Sequence, residues 1–493
     1  MAQAVQVHPS DNVAVALAPL VAGATVVVAG GEVFLADDIP AGHKFALAPI
    51  ASGEDAVRYG FPFGHATADI GTGAHVHSHN VATTLGLESG HAFAGAPVPR
   101  DRVGAERTFL GYPRPDGSVG TRNEIWIIPS VGCVGRTAER LATLAGRALP
   151  PGIDGIHAFP HPFGCSQLGD DLDGTTRLIA SLACNPNAGG VLLLGLGCES
   201  NQLSGVMELI PEERRERIRI VGAQASSDEI ADGLAAITVL ATLAAAEREE
   251  VPLSALRLGV KCGGSDGLSG LTANPLIGRI ATAVGDAGGA VVLTEIPEMF
   301  GAEQILLDRC VDQSTHDALE AMVDGFKRYF VDHGEPVSEN PSPGNIKGGI
   351  TTLEEKSLGA VQKGGVVPVT QILPYAARAA QQPGLAIVEG PGNDAVSTSA
   401  LAAAGATLTL FSTGRGTPLG SPVPTLKIAS NSPLAANKPG WIDFDAGQVL
   451  EAGMDPVAGA LLDLVVATAS GQAARNEIND ERGIAIWKRG VTL

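Results

Sequence analysis

Gly190-Val191-Leu192-Leu193-Leu194 runs unbroken into Gly195-Leu196-Gly197-Cys198-Glu199. A short apolar run ending in glycines and a polar residue is how a strand buried on both faces meets the loop at its carboxyl end. The same grammar recurs along the chain. Glu124 to Pro129 leads into Val131-Gly132-Cys133-Val134-Gly135 and a helix from about Thr137. Ala255 to Val260 leads into Lys261-Cys262-Gly263-Gly264-Ser265-Asp266 and a helix from about Asn274. It returns at Ala290 to Leu293, at Leu385 to Val388, and at Thr407 to Phe411 before Ser412-Thr413-Gly414-Arg415-Gly416. Strand, glycine-rich loop and helix in succession predict α/β architecture with parallel sheets, and no repeat of fixed period accompanies it.

Toward the amino end the pattern changes. From Val5 to about Ala94 short apolar runs such as Val13 to Leu17 and Ala24 to Val28 are separated by Gly and Pro turns, which predicts a small all-β domain. It ends in Gly73-Ala74-His75-Val76-His77-Ser78-His79-Asn80, where alternation puts His75, His77 and His79 on one face of a strand. Gly95 to Arg107, rich in Ala, Pro and charge, reads as a linker. A polar junction at Ala245 to Val251 follows a helix from Asp228. The expected division is therefore 1–100, 101–250 and 251–493.

Composition narrows the function. The 53 acidic against 33 basic residues leave a formal charge of -20, which would repel a nucleic-acid backbone. No apolar stretch reaches the ~18–20 residues that span a bilayer. No basic segment followed by an apolar core opens the chain, so a cytoplasmic location is expected. Six cysteines among 493 residues are too sparse for a disulfide framework, which makes their placement the informative feature. Cys133, Cys198 and Cys262 each follow a predicted strand among glycines, and Cys165 lies in the similar His161-Pro162-Phe163-Gly164-Cys165-Ser166-Gln167. Cys184 and Cys310 sit in helix-like contexts. The loop thiols read either as buried packing residues or as ligands of a metal or cluster assembled from distant loops. Paired imidazoles at 75, 77 and 79 can ligate a metal or supply a base. Arg122, Lys261, Lys347 and Arg415 sit in or beside glycine-rich loops suited to an anionic substrate. A Walker lysine loop and a full dinucleotide fingerprint are both lacking, so nucleotide chemistry has little support.

Several strings carry a resemblance. Gly120-Thr121-Arg122-Asn123, the His161 to Gln167 and Lys261 to Asp266 stretches, Pro297-Glu298-Met299-Phe300-Gly301-Ala302-Glu303 and Phe411 to Pro418 resemble the altronate and galactarate dehydratase family. Gly73 to Asn80 is similar to the His-x-His-Asn stretch of that family's N-terminal SAF (β-clip) domain. The resemblance implies a small all-β SAF domain followed by two α/β, Rossmann-like domains. It implies a hydro-lyase that dehydrates a sugar acid to a 2-keto-3-deoxy acid with a divalent metal, typically Fe(II), with Mn(II) or an iron–sulfur cluster as alternatives. The altronate branch matches best. Galactarate dehydration, sulfolactate sulfo-lyase activity or non-catalytic sugar-acid binding are the other readings.

On that footing His77, His79 and Lys261 are the expected catalytic residues. Arg122, Asn123, Ser265, Asp266 and Arg415 are expected to bind the substrate. His77, His79, Cys133, Cys165, Cys198 and Cys262 are the expected metal-ligand set. Arginine or lysine on the carboxylate, a metal and a positioned base are what removal of an α-proton needs, because the enediolate that forms is unstable in water. The expected partners are a small-molecule sugar acid and a second copy of the chain in a homodimer, with no nucleic acid and no membrane.

Overall fold

The computed structural model describes residues 2–29, 31–87, 90–97 and 106–493. The boundary expected near residue 100 lies outside the described residues. The amino-terminal strands are β1 (Ala4–Val5), β2 (Val13–Ala16), β3 (Thr25–Val28), β4 (Gly31–Phe34), β5 (Lys44–Ala46), β6 (Asp55–Arg58), β7 (Phe61–Ala66), β8 (His75–Val76) and β9 (Val81–Ala82). They form the antiparallel sheets β1-β2-β5-β8 and β6-β7-β9 and the hairpin β3-β4. Val26, Val28, Val33, Leu35 and Phe45 fill one small core. Val13, Ile50, Phe63, Ile70 and Val76 instead pack into the main core of the molecule. The all-β unit is therefore welded to the body rather than tethered.

The strand expected to carry His75, His77 and His79 is shorter than its alternation suggested. β8 stops at Val76. The Asn80 side chain accepts from the His77 N–H (2.9 Å) and donates to the His75 carbonyl (2.8 Å), which turns the chain there.

The second unit contains β10 (Thr108–Pro113), β11 (Val119–Gly120), β12 (Glu124–Pro129), β13 (Gly155–Ala158), β14 (Ala188–Gly195), β15 (Ile218–Gly222) and β16 (Glu249–Pro252). β12 to β15 form a parallel sheet in the order β13-β12-β14-β15. Ile125 and Ile127 face a core with the helices Gly135–Ala145 and Glu229–Ala244, while Trp126 and Ile128 face the opposite core with helix Gly169–Ala183. Burial on both faces explains why these strands read as unbroken apolar runs. β16 pairs antiparallel with β10 and closes the unit.

The third unit holds β17 (Arg257–Cys262), β18 (Ala290–Leu293), β19 (Val369–Leu373), β20 (Gly384–Val388), β21 (Leu408–Thr413), β22 (Thr425–Ala429) and β23 (Phe444–Asp445). They form one parallel sheet, β19-β20-β18-β17-β21-β22-β23. Cys310, expected in a helix, lies just past helix Glu303–Leu307 and bridges to Val369.

Two helices join these sheets in a shared orientation. Asn185, just beyond helix Gly169–Ala183, donates to the carbonyls of Ala402 and Ala406 at the end of helix Asp394–Ala403 (2.8 and 3.0 Å). At their other ends, Asp171 accepts from the backbone of Arg489, whose side chain reaches Glu389 at 3.8 Å. The helices run parallel, so the carboxyl ends of both sheets open on the same side of the molecule.

Candidate active site

In open parallel sheets the crevice lies where strand order reverses. In the third unit that point is between β17 and β21. The carbonyl of Gly264, after β17, accepts from the N–H groups of Gly414 and Arg415, after β21, at 3.0 Å each. Asp266 accepts from Ser269, Ser430 and Asn431 side chains at 2.8 to 3.0 Å and knits three loops together. A cleft of about 750 Å³ opens here, lined by Asp266, Lys347, Arg415 and Asn431 on one side and by Gln3, Leu17 and Gly42 of the all-β unit on the other. Arg415 and Lys347 are exposed to it.

Beside Gly42 begins a cluster of four imidazoles. The His43 ring stands 5.2 Å from His75 and 4.8 Å from His77, and His75 stands 5.3 Å from His79. His43 Nε2 lies 3.3 Å from the Lys347 carbonyl, which only accepts, so that nitrogen carries the proton. His43 Nδ1 then accepts from His75 Nε2 at 3.1 Å, and the chain of bonds leaves His75 Nδ1 as an acceptor. Burial, with the neighbouring imidazoles, pushes His75 down to about 4, and burial with Lys44 pushes His77 to about 3. Both are neutral near pH 7. His77 is spent on docking: its Nε2 donates to the Ile346 carbonyl (3.1 Å) and its Nδ1 meets the Thr351 hydroxyl (3.0 Å). That leaves it no nitrogen for a metal or for proton transfer, against expectation. His79 is exposed.

The all-β unit is held over the cleft by buried charge. Glu355 pairs with Lys44 (2.8 Å) and with Arg58, and it accepts from the Thr351 N–H (2.7 Å). Burial opposes the Glu355 charge, yet Lys44 and Arg58 hold its carboxyl down to about 2. Burial of Lys44 costs more than its ion pair returns and lowers its ammonium to about 8.

A second cluster fills the carboxyl ends of β17 and β18. Lys261 Nζ lies 3.0 Å from Glu295, 2.6 Å from Asp394 and 3.0 Å from Ser397 Oγ. Burial opposes its charge, but Glu295 and Asp394 outweigh that and raise it above the ordinary lysine value. Lys261 is thus a fixed cation, unsuited to the proton-transfer role expected of it. Cys262 Sγ receives a hydrogen bond from Lys363 (2.6 Å) and faces Glu298 at 3.0 Å, and Glu298 pairs with Lys356 at 2.8 Å. Burial and the Glu298 charge push the Cys262 thiol up to about 12. Glu295 adopts φ 72°, a strained conformation for a non-glycine residue. Among the described residues Cys262, Glu295 and Glu298 are the one group of three donors within 4.8 Å of one another. A divalent cation among them would also face three ammonium groups, so the donor set does not fit a metal and Cys262 is not a ligand as expected.

The remaining expected residues divide. Arg122 is buried with its fork on Glu477 (2.7 and 2.8 Å), and it also donates to the carbonyls of Thr121, Thr468 and Gln472. No donor is left for a substrate carboxylate, so Arg122 fastens the second unit to the chain's end instead. Asn123 is likewise committed, to Arg114, Gly152 and Ala244. Ser265 is buried under the cleft, where its carbonyl accepts from Asn345 (2.7 Å). Cys133, Cys165 and Cys198 are exposed and Cys184, Cys262 and Cys310 are buried. Sequence reasoning missed His43, Glu295, Glu298 and Asp394 as site residues. Of these, Glu295 and Asp394 stood in the loops that follow predicted strands, and Glu298 stood in one of the strings that carry the resemblance.

Comparison with known proteins agrees with this architecture. The model of the altronate/galactarate dehydratase SAF domain matches residues 2–84. The second domain of D-galactarate dehydratase/altronate hydrolase matches 111–245, and the D-galactarate/altronate dehydratase C-terminal model matches 253–492. The chain is 48% identical to altronate dehydratase of Escherichia coli K12 across all of both chains. It is 43% identical to altronate dehydratase of Bacillus subtilis 168 over 99% of each chain. With galactarate dehydratase (L-threo-forming) of E. coli K12 it shares 31% identity over 97% of this chain and 95% of that one. Matched along its whole length, in the same order of units, this chain belongs to the altronate/galactarate dehydratase family.

Proposed function

We propose that the chain is a hydro-lyase acting on an altronate-like aldonate. Its reaction breaks the Cα–H and Cβ–O bonds, releases water, and leaves an enol that ketonises to a 2-keto-3-deoxy acid. The observation that carries this is the full-length 48% identity to an altronate dehydratase. The cleft supplies the chemistry. Arg415 and Lys347 face it and offer a planar fork and a point charge to the carboxylate, where negative charge grows as the α-proton leaves. His75 Nδ1, held as an acceptor by the relay through His43 to Lys347, takes that proton. His79, exposed beside it, protonates the departing hydroxyl.

Fe(II) is the proposed metal, with Mn(II) as its substitute; when bound it acts as a Lewis acid on the substrate oxygens. We further read the two α/β units as Rossmann-like and the working form as a cytoplasmic homodimer. Six unpaired cysteines suit a reducing compartment, and exposed Val21, Val27 and Phe34 offer an apolar face for self-association. Anaerobic incubation with hexonates, hexarates and sulfolactate, with and without Fe(II), tests the reading. An altronate-type hexonate should yield most 2-keto acid and the matching aldose none. Sulfite release, or binding without turnover, would overturn it.

A further inference from the structure

We propose that a pocket between the second and third units, at the amino ends of their sheets, binds the phosphomonoester of a small polyol or sugar. The pocket has a volume of about 540 Å³ and is lined by Asp116, Ser118 and Arg214 from the second unit and by Arg257, Arg378 and Gln381 from the third. Arg257 opens β17, while Lys261 and Cys262 close it. The pocket therefore lies at the opposite ends of the strands from the cleft that holds Arg415.

Positive charge gathers here in a chain whose formal charge is -20. Arg114 and Arg217 stand behind Arg214, and burial together with those two neighbours pushes the Arg114 guanidinium down to about 9. Burial and Arg214 lower Arg217 as well. Among the described residues, Arg214 is the one arginine of this group paired with a carboxylate, giving Nε (2.7 Å) and Nη2 to Asp116. Glu213, the other acid on the wall, is exposed and makes no ion pair among the described residues. Arg114 spends its donors on the carbonyls of Pro186 and Arg122 and on the Asn123 side chain, all neutral, at 2.8 to 3.0 Å. Buried charge without a counter-charge is costly, and an anionic ligand supplies what is missing.

Two guanidinium forks are free to meet it. Each carries five N–H donors. Arg257 gives one to the Ala379 carbonyl (3.1 Å), and no other bond of its side chain occurs among the described residues. A β-carbon on Gly405, at φ 100°, would stand 2.9 Å from Arg257 Nη1, so glycine leaves that fork room. Arg378 is exposed and meets the Cys184 thiol, a weak acceptor. The groups converge: burial raises the Cys184 thiol while Arg378 and Arg214 both pull it back, and Arg214 also acts on Arg257. Helices Gly169–Ala183 and Asp394–Ala403 end beside the pocket, and carboxyl ends of helices attract cations. Asn185 serves the carbonyls of Ala402 and Ala406, however, and among the described residues neither Arg257 nor Arg378 donates to a carbonyl of either helix. Helix capping does not account for them.

Direction selects the ligand. Arg214 comes from helix Glu212–Arg215, Arg257 from the start of β17 and Arg378 from the loop after β19, so the forks approach from separate elements. A planar carboxylate takes one fork along its edge, whereas a phosphomonoester offers three oxygens in three directions and a charge near −2. Phosphate alone would leave most of the pocket empty, and exposed Gln381 stands on the wall to meet hydroxyl groups.

Calorimetric titration of the full chain with glycerol 3-phosphate, glucose 6-phosphate, inorganic phosphate, succinate and glucose tests the site. At least one of the two monoesters should bind once per chain, at least tenfold more tightly than inorganic phosphate or succinate, and glucose should give no heat. R378A removes an exposed side chain and should weaken that binding at least tenfold with an unchanged melting temperature. R257M should do the same, and R415A, altered in the cleft, should keep Kd within twofold. Binding of neither monoester, equal affinity for phosphate or succinate, full affinity in R378A, or affinity lost in R415A overturns the site. None of these readouts uses turnover, so the outcome stands apart from the hydro-lyase reading.

Discussion

Replacing Glu355 with glutamine should loosen the seam between the all-β unit and the body. The carboxylate has a side chain 1% exposed and serves Lys44, Arg58 and the Thr351 N–H together. Holding its carboxyl from 4.5 down to about 2 is worth roughly 3 kcal/mol, at ~1.4 kcal/mol per tenfold in proton affinity. Glutamine would also strand two buried cations, and breaking a buried pair typically costs about 3–5 kcal/mol. The expected loss of about 3 kcal/mol corresponds to a roughly hundredfold faster opening of the seam. Hydrogen exchange read by mass spectrometry over residues 343–360 and the β5 to β7 segment measures it. Because the folded carboxyl is depressed, its contribution is complete above about pH 4.5 and drains away as pH falls toward 2. Wild type should therefore converge on the variant in acid. K44M in the E355Q background should recover part of the protection. Exchange in E355Q within threefold of wild type at pH 7 would refute the reasoning.

Other variants separate roles that look alike in sequence. R415K should raise KM for the aldonate about tenfold or more, since a point charge cannot reproduce two parallel hydrogen bonds, whereas R122K should lower thermal stability and leave KM unchanged. H75A and H79A should each lower kcat by ~10²–10⁴. H77A should act mainly on seam exchange, and equal kcat losses in all three would undo the relay. K363M removes the ammonium bonded to Cys262 and should cost about 3–5 kcal/mol, so an unchanged melting temperature would contradict the buried network.

The comparisons bear on the functional reading more than on the site. Family models cover all three units, yet they do not say which side chain does what. The division of Arg122 from Arg415, and of His77 from His75, comes from bonding partners alone. Both arginines stand in polar loops that look fit to hold an anion, and only one of them has its fork free.

What the sequence determined by itself is the local grammar. Parallel strands buried on both faces must read as unbroken apolar runs, and their loops must carry the glycines and polar groups, so Ala290 to Leu293 and the cysteine loops are legible within a window of ten residues. Tertiary structure decided everything that depends on a distant partner. Arg122 meets Glu477 from 355 positions away, His43 meets Lys347 from 304, and Lys363 meets Cys262 from 101. A side chain's charge and hydrogen-bonding capacity are fixed by its type, but whether that capacity is spent inside the protein or left for a substrate is fixed by which groups folding brings within about 3 Å of it.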